Sequence, residues 1–176
     1  AVAGAALAAH PGVDHISFTG STAVGRQIQT EAAKNTVPVT LELGGKSPAV
    51  VDNTANLEDA AKKIAWGKLI NAGQKCVSPD YVLVQENILA TFIELLKKNI
   101  ADSYGQDKGQ RAASPDLARI IDDRHYQRLK NIISEAAANG FKIECGGIPN
   151  NGDRFVPPTV LSGNNLDLQL MWEEIF

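Results

Sequence analysis

The chain has 176 residues, 44% hydrophobic and 21% charged, an ordinary globular balance that fits one domain or parts of two. Its formal net charge of −3 offers no basic field for nucleic acid or an anionic membrane. No apolar run reaches the roughly 18 residues that a membrane-spanning helix needs, so this piece carries no membrane segment.

The opening AVAGAALAAHPG is small and apolar but has no basic n-region, which predicts an Ala-rich helix rather than a secretory leader. HISFTG predicts a short strand stopped by Gly20. STAVGRQIQTEAAKN predicts a helix with Val24, Ile28 and Ala32 on one face and Ser21 or Thr22 as cap. PVTLELGG and SPAVVD predict two more strands. NLEDAAKKIAWGKLINAG predicts an amphipathic helix capped by Asn56, with Leu57, Ala61, Ile64, Ala65 and Leu69 inward and Gly73 ending it. YVLVQ predicts a strand, and ILATFIELLKKNIADSYG a helix with Ile88, Phe92, Leu95, Leu96 and Ile100 inward. YGQDKGQRAASPD is expected as a polar loop. RHYQRLKNIISEAAANG predicts a helix burying Leu129, Ile132, Ile133 and Ala136, followed by strand pieces in FKIECGG and RFVPPTVL. Trp66 and Trp172 are expected to pack inside, and Cys145 to fill a strand. Strands alternating with helices imply an α/β architecture with a largely parallel sheet. The chain has no initiator Met and stops on the apolar MWEEIF, whereas domains usually end in exposed, loosely held segments; an internal piece of a longer protein is expected.

Cys76 and Cys145 are the two cysteines, 69 residues apart, and neither they nor His10, His15 and His125 show zinc-ligand spacing, so no metal site is expected. Spacing leaves a disulfide open, but the composition suggests a reducing, cytoplasmic setting. Cys76 in GQKCVSPD is then buried filler or a nucleophile, and residue type alone favours filler. FTGSTAVGR is a strand, a glycine turn and a helix start, a place where free N–H groups suit a nucleotide phosphate or ribose, or simply a tight turn. It has neither the GxGxxG nor the Walker spacing, and LGGKS lacks the first Walker glycine because position 40 is Thr40. Glu42, between two leucines in LELGG, either faces solvent or is held partly desolvated, where a raised pKa would suit a general base.

FTGSTAVG, LELGGKSP, NAGQKC and EEIF, in that order across essentially the whole chain, resemble the aldehyde dehydrogenase superfamily. CVSPDYVLV and RHYQRL are most similar to its class 3 branch of fatty, aromatic and coniferyl-type aldehyde dehydrogenases. The resemblance implies an α/β, aldehyde dehydrogenase-like fold. Residues 1–44 would be the C-terminal part of a Rossmann-type NAD(P)-binding domain, and 45–176 the N-terminal part of a parallel-sheet catalytic domain. It implies Cys76 as nucleophile and Glu42 as general base. It places Thr19, Gly20, Ser21 and Val24 along an NAD or NADP cofactor, the Leu43 backbone at its nicotinamide end, and Glu174 and Phe176 at its nicotinamide ribose. The implied activity is oxidation of an aldehyde to a carboxylic acid through a cysteine thiohemiacetal and thioester, in a homodimer or higher homo-oligomer. The family's oxyanion asparagine, its adenosine-binding lysine segment and its subunit-joining C-terminal arm have no counterpart here, so the isolated piece is expected to be inactive. Two rivals remain: a cofactor-independent cysteine hydrolase pairing Cys76 with His125, and a non-catalytic binding protein on the same fold. His125 lies among charges in DDRHYQRLK, which reads better as a solvated side chain, and the second rival would be expected to lack Cys76 or Glu42.

Overall fold

A computed structural model describes residues 2–149 and 152–176, and the chain divides into two compact units, Ala1–Gly45 and Lys46–Phe176. The first unit runs α1 (Val2–Ala8), β1 (Ile16–Thr19), α2 (Thr22–Ala33) and β2 (Val39–Glu42). Ala1 of the predicted first helix lies outside the described residues. β1 and β2 pair in parallel, in register from Ile16 opposite Val39 to Thr19 opposite Glu42. α2 begins where the sequence predicts: Ser21 is extended and its side chain accepts the Val24 N–H at 3.4 Å. Its buried face differs from the expectation, because Gly25 and Ala32 are buried while Val24 is 42% exposed. Small residues there permit close approach; a Cβ on Gly25 would lie 2.7 Å from Leu43 Cδ2.

The second unit runs β3 (Pro48–Val51), α3 (Leu57–Leu69), β4 (Tyr81–Val84), α4 (Leu89–Tyr104), α5 (Lys108–Ala113), α6 (Asp123–Ala138), β5 (Lys142–Cys145), β6 (Val160–Ser162) and α7 (Gln169–Trp172). β3 and β4 are parallel, Pro48 opposite Tyr81 through Val51 opposite Val84, whereas β5 and β6 are antiparallel. Among the described residues the strands form three separate pairs, two of them parallel, rather than one continuous sheet. α3 and α4 close over the β3–β4 pair with Val51, Ala61, Ala65, Phe92, Leu96 and Ile100 as core. Removing a side chain such as Phe92 from water contributes about 1.5–3 kcal/mol. α6 turns Ile132 and Ala136 onto Phe141, Leu168 and Leu170, and Tyr126 and Leu129 onto Ile120.

Four local expectations are corrected. The polar stretch after α4 contains α5, whose start is fixed by the Asp107 side chain accepting the Gln110 N–H; with no apolar stripe, periodicity could not reveal it. α3 stops at Leu69, not Gly73: Asn71, Ala72 and Gly73 all turn left-handed, with φ of 54°, 55° and 80°. In RFVPPTVL only the stretch from Val160 is strand, because Pro157 and Pro158 have no N–H for a ladder. Trp66 and Trp172 are 65% and 67% exposed. Trp66 follows buried Ala65, and a helix turns about 100° per residue, which carries the indole off the inward face.

Asn56 starts α3 by accepting the Asp59 N–H at 3.1 Å. Asn56→Ala in the complete protein is expected to cost about 1 kcal/mol, the usual loss for an N-cap, read as a lower urea midpoint at unchanged slope. An unchanged midpoint would show that α3 does not need the cap.

Candidate active site

In Ala1–Gly45 the predicted residues gather where β1 and β2 end. Thr19 is opposite Glu42, and the Gly20 N–H donates to the Glu42 carbonyl at 3.0 Å. Ser21 caps α2, Val24 lies in its first turn, and Leu43 follows β2 against Gly25. The carboxyl ends of parallel strands beside a helix N-terminus are the usual ligand edge of an open α/β unit. Glu42 is exposed, so the partial desolvation considered for it is not supplied by the described residues.

In Lys46–Phe176, Cys76 is exposed in a turn between the left-handed Asn71–Gly73 stretch and β4, so the described residues do not bury it. Both sides of the turn are pinned. Before it, the Gln74 side-chain amide donates to the Asn71 and Arg119 carbonyls at 3.0 and 3.2 Å and accepts the Ile121 N–H at 2.9 Å. After it, the Asp80 N–H donates to the Ser47 carbonyl at 2.8 Å. Among the described residues the Cys76 N–H makes no hydrogen bond. Cys145 is a second free thiol, half-buried in β5 with Arg111 Nη1 3.6 Å from its sulfur. His125 is tied to its own helix cap, Nδ1 lying 2.7 Å from Asp122 Oδ1.

Sequence reasoning missed a polar clamp that joins four of the quoted motifs. Lys46, from LGGKSP, donates to Asp80 Oδ1 at 2.6 Å, to the Leu170 carbonyl at 2.6 Å and to the Glu173 carbonyl at 2.8 Å. Asp80, from CVSPD, accepts the Ile175 N–H at 3.0 Å on its other oxygen. Arg128 on α6 donates to the Glu173 carboxylate at 3.3 Å, to the Glu174 carbonyl at 3.1 Å and to the Ile175 carbonyl. The EEIF segment is thus held through its main chain, close to the strand that follows Cys76. The only legible signal was that Lys46, Asp80 and Arg128 sit inside quoted motifs, LELGGKSP, CVSPDYVLV and RHYQRL, without a role of their own.

Among the described residues, Oε1 of Glu174, expected at the cofactor ribose, and Nζ of Lys68 are buried without a hydrogen-bond partner. Burial pushes the Lys68 ammonium below its ordinary pKa; Asp80 and Glu174 oppose that shift, while Lys46 and Lys75 add to it. Phe176 is exposed, and Lys68, Asp80, Ile175 and Phe176 all line a mainly apolar cavity of about 500 Å³.

The aldehyde dehydrogenase family pattern matches residues 1–176, and the chain belongs to that family. It is 47% identical over 163 residues to the dimeric NADP-preferring aldehyde dehydrogenase of Rattus norvegicus, covering 93% of this chain and 34% of that one. It is 42% identical over 163 residues to aldehyde dehydrogenase family 3 member A2 of Mus musculus, covering 93% and 32%, which agrees with the class 3 resemblance. The solved substrate-bound state of Staphylococcus aureus AldH superposes with a TM-score of 0.89 at 41% identity, covering 98% of this chain and 36% of that structure. The α/β, aldehyde dehydrogenase-like fold is therefore confirmed, and the chain spans about a third of the length of these relatives.

Proposed function

We propose that the complete enzyme oxidises an aldehyde to its carboxylic acid with NAD or NADP, through a thiohemiacetal and then a thioester on Cys76. The observation that carries this reading is an exposed thiol on a turn pinned from both sides. NADP is the preference stated in the rat relative's name, and the word dimeric in that name supports the dimer among the expected homo-oligomers. A mechanism that needs a reduced Cys76 fits the cytoplasm.

The residues of the first unit fit a dinucleotide. Gly25 draws α2 against Leu43 so tightly that a Cβ would clash, and the N–H groups of the first turn of α2 lie beside exposed Thr19 and Ser21. Thr19, Gly20, Ser21, Val24 and the Leu43 backbone would hold the cofactor there, and Glu174 and Phe176 would meet its ribose. Residues 1–44 would then belong to the cofactor domain and 45–176 to the catalytic domain, one residue from where the compact units divide. When bound, the cofactor supplies the hydride acceptor.

Cys76 Sγ, as thiolate, adds to the carbonyl carbon. The Cys76 N–H, free of other acceptors, donates to the oxygen as charge grows on it. Departure of hydride from the thiohemiacetal carbon leaves an acyl group on sulfur. Glu42 takes a proton from water as its oxygen attacks that thioester, and the acid leaves as the Cys76 thiolate is regenerated. Thiolate is both a strong nucleophile and a good leaving group, which suits it to both halves.

The test is turnover of an aldehyde series by the complete enzyme, followed by absorbance of reduced cofactor. Strict dependence on NAD or NADP is expected; aldehyde-independent, cofactor-free ester hydrolysis as the sole activity would overturn the reading in favour of a cysteine hydrolase. The 176-residue chain assayed alone is expected to show no sustained turnover, because it spans about a third of its active relatives. Turnover at the rate of the complete enzyme would show instead that this chain is sufficient.

A further inference from the structure

The two peptide units that flank Glu174 are both held by charged side chains. Before it, the Glu173 carbonyl accepts from Lys46 Nζ at 2.8 Å. After it, the Glu174 carbonyl accepts from Arg128 Nη1 at 3.1 Å, and the Ile175 N–H of the same unit donates to Asp80 Oδ2 at 3.0 Å. A peptide unit is planar and these are trans, so a carbonyl and an N–H gripped from opposite edges fix the plane between Glu174 and Ile175. Fixing the units on either side of a Cα fixes its φ and ψ, and with them the direction of its Cβ. Lys46 and Asp80, which reach these two units from opposite sides of Glu174, are themselves joined, Nζ to Oδ1 at 2.6 Å.

That ion pair is buried, its side chains 19% and 4% exposed. The desolvation penalty of a buried pair offsets much of its attraction, so such a pair is better explained by what it fixes than by what it stabilises. Its own seat is rigid. The Asp80 N–H donates to the Ser47 carbonyl at the start of the parallel β3–β4 pair, where Pro48 lies opposite Tyr81. The Lys46 ammonium also lies 5.9 Å from the centre of the Tyr81 ring and donates to the Leu170 carbonyl in α7 at 2.6 Å.

We infer that Lys46 and Asp80 are positioning residues that hold the main chain on both sides of Glu174 and so set where its side chain is presented. The inference rests on the dehydrogenase reading, in which Glu174 meets the cofactor ribose. Lys46 and Asp80 then govern affinity for the cofactor through that main chain and not through the reacting atoms.

The experiment compares Asp80→Asn and the paired variant Lys46→Met with Asp80→Asn, both in the complete enzyme. Asparagine keeps the shape of Asp80 but has one acceptor oxygen, so it serves Lys46 or the Ile175 N–H and not both. The paired variant removes both charges together and leaves no buried charge alone. Dissociation constants of NAD and NADP, kinetic constants, cofactor-free ester hydrolysis and hydrogen exchange of the Ile175 amide are measured for each. The paired variant is expected to raise the cofactor dissociation constant and KM about tenfold, with a much smaller change in kcat. Ester hydrolysis, which needs no cofactor, is expected to fall far less than cofactor affinity, and the Ile175 amide to exchange faster. Asp80→Asn is expected to lie between the wild type and the paired variant. Cofactor binding as tight as in the wild type overturns the proposal. So does an equal loss of cofactor affinity and ester hydrolysis, which would show a general disruption of the unit. If the paired variant folds poorly, Asp80→Asn decides on the same two readouts. Should the wild type bind neither NAD nor NADP, the dehydrogenase reading fails by itself. The hold on the main chain is then judged by exchange at Ile175, where faster exchange in the variants supports it and unchanged exchange overturns it.

Discussion

Cys76→Ala in the complete enzyme is expected to abolish both dehydrogenase and esterase turnover, a loss on the order of 10⁶-fold, the scale seen when a covalent nucleophile is removed. In the proposed mechanism one sulfur carries the acyl group in each reaction, so one substitution removes both. The side chain is exposed, and removing it opens no cavity; the loop is held by Gln74 and Asp80 rather than by the thiol. Folding and cofactor affinity are therefore expected to persist, which separates loss of chemistry from loss of structure. The measurement is reduced-cofactor absorbance with an aldehyde and release of a chromogenic phenol from an ester, with cofactor binding as control. Either activity surviving near the wild-type rate would move the nucleophile elsewhere in the polypeptide.

Glu42→Gln is expected to stall acid release while leaving hydride transfer partly intact. Glutamine keeps the shape at the end of β2 and the Gly20 N–H bond, which goes to the main-chain carbonyl, but it cannot accept a proton from water. Losing a general base slows the step it serves by about 10²–10⁴-fold. Rapid mixing is expected to show a burst of reduced cofactor near one equivalent per site, then a slow steady rate, with the acyl group retained on Cys76 in the intact mass. No burst would mean that Glu42 helps to form the thiolate. An unchanged steady rate would make Glu42 the solvent-facing strand residue that its exposure in this chain allows.

Much of the fold was legible because it is written in local periodicity and caps. Asn56 and Ser21 start the helices where expected, and Phe92, Leu96, Ile132 and Ala136 face inward at helical spacing. α5 was hidden because its Lys, Gln and Arg bury nothing, and the end of α3 because the left-handed turn involves Ala72, a residue with no turn signal. The two tryptophans misled because apolar size argues for burial, whereas position on the helix decides it. At the site, Cys76 and the strand-end residues Thr19, Gly20 and Ser21 stood in recognisable stretches. Lys46, Asp80 and Arg128 also lay inside quoted stretches, but their roles did not show, because their partners are carbonyls and charges far away in the chain, and no spacing rule connects a lysine to a main-chain oxygen more than a hundred residues later.

That distance has a consequence for the order of events when the chain folds. α3 and α4 meet across a short connection, so the layer beneath the thiol loop forms from near neighbours. The clamp closes loops of 124 and 127 residues from Lys46, and of 95 from Asp80. Closure entropy grows with loop length, and contacts of high sequence separation form slowly. On a ribosome, Lys46 and Asp80 emerge long before residues 170–175 exist to receive them. They wait in water, where each is hydrated at no cost, and lose that water only when the EEIF segment docks. The order of synthesis thus leaves the EEIF end of this unit until last, so a nascent chain carries Cys76 well before it can hold that segment.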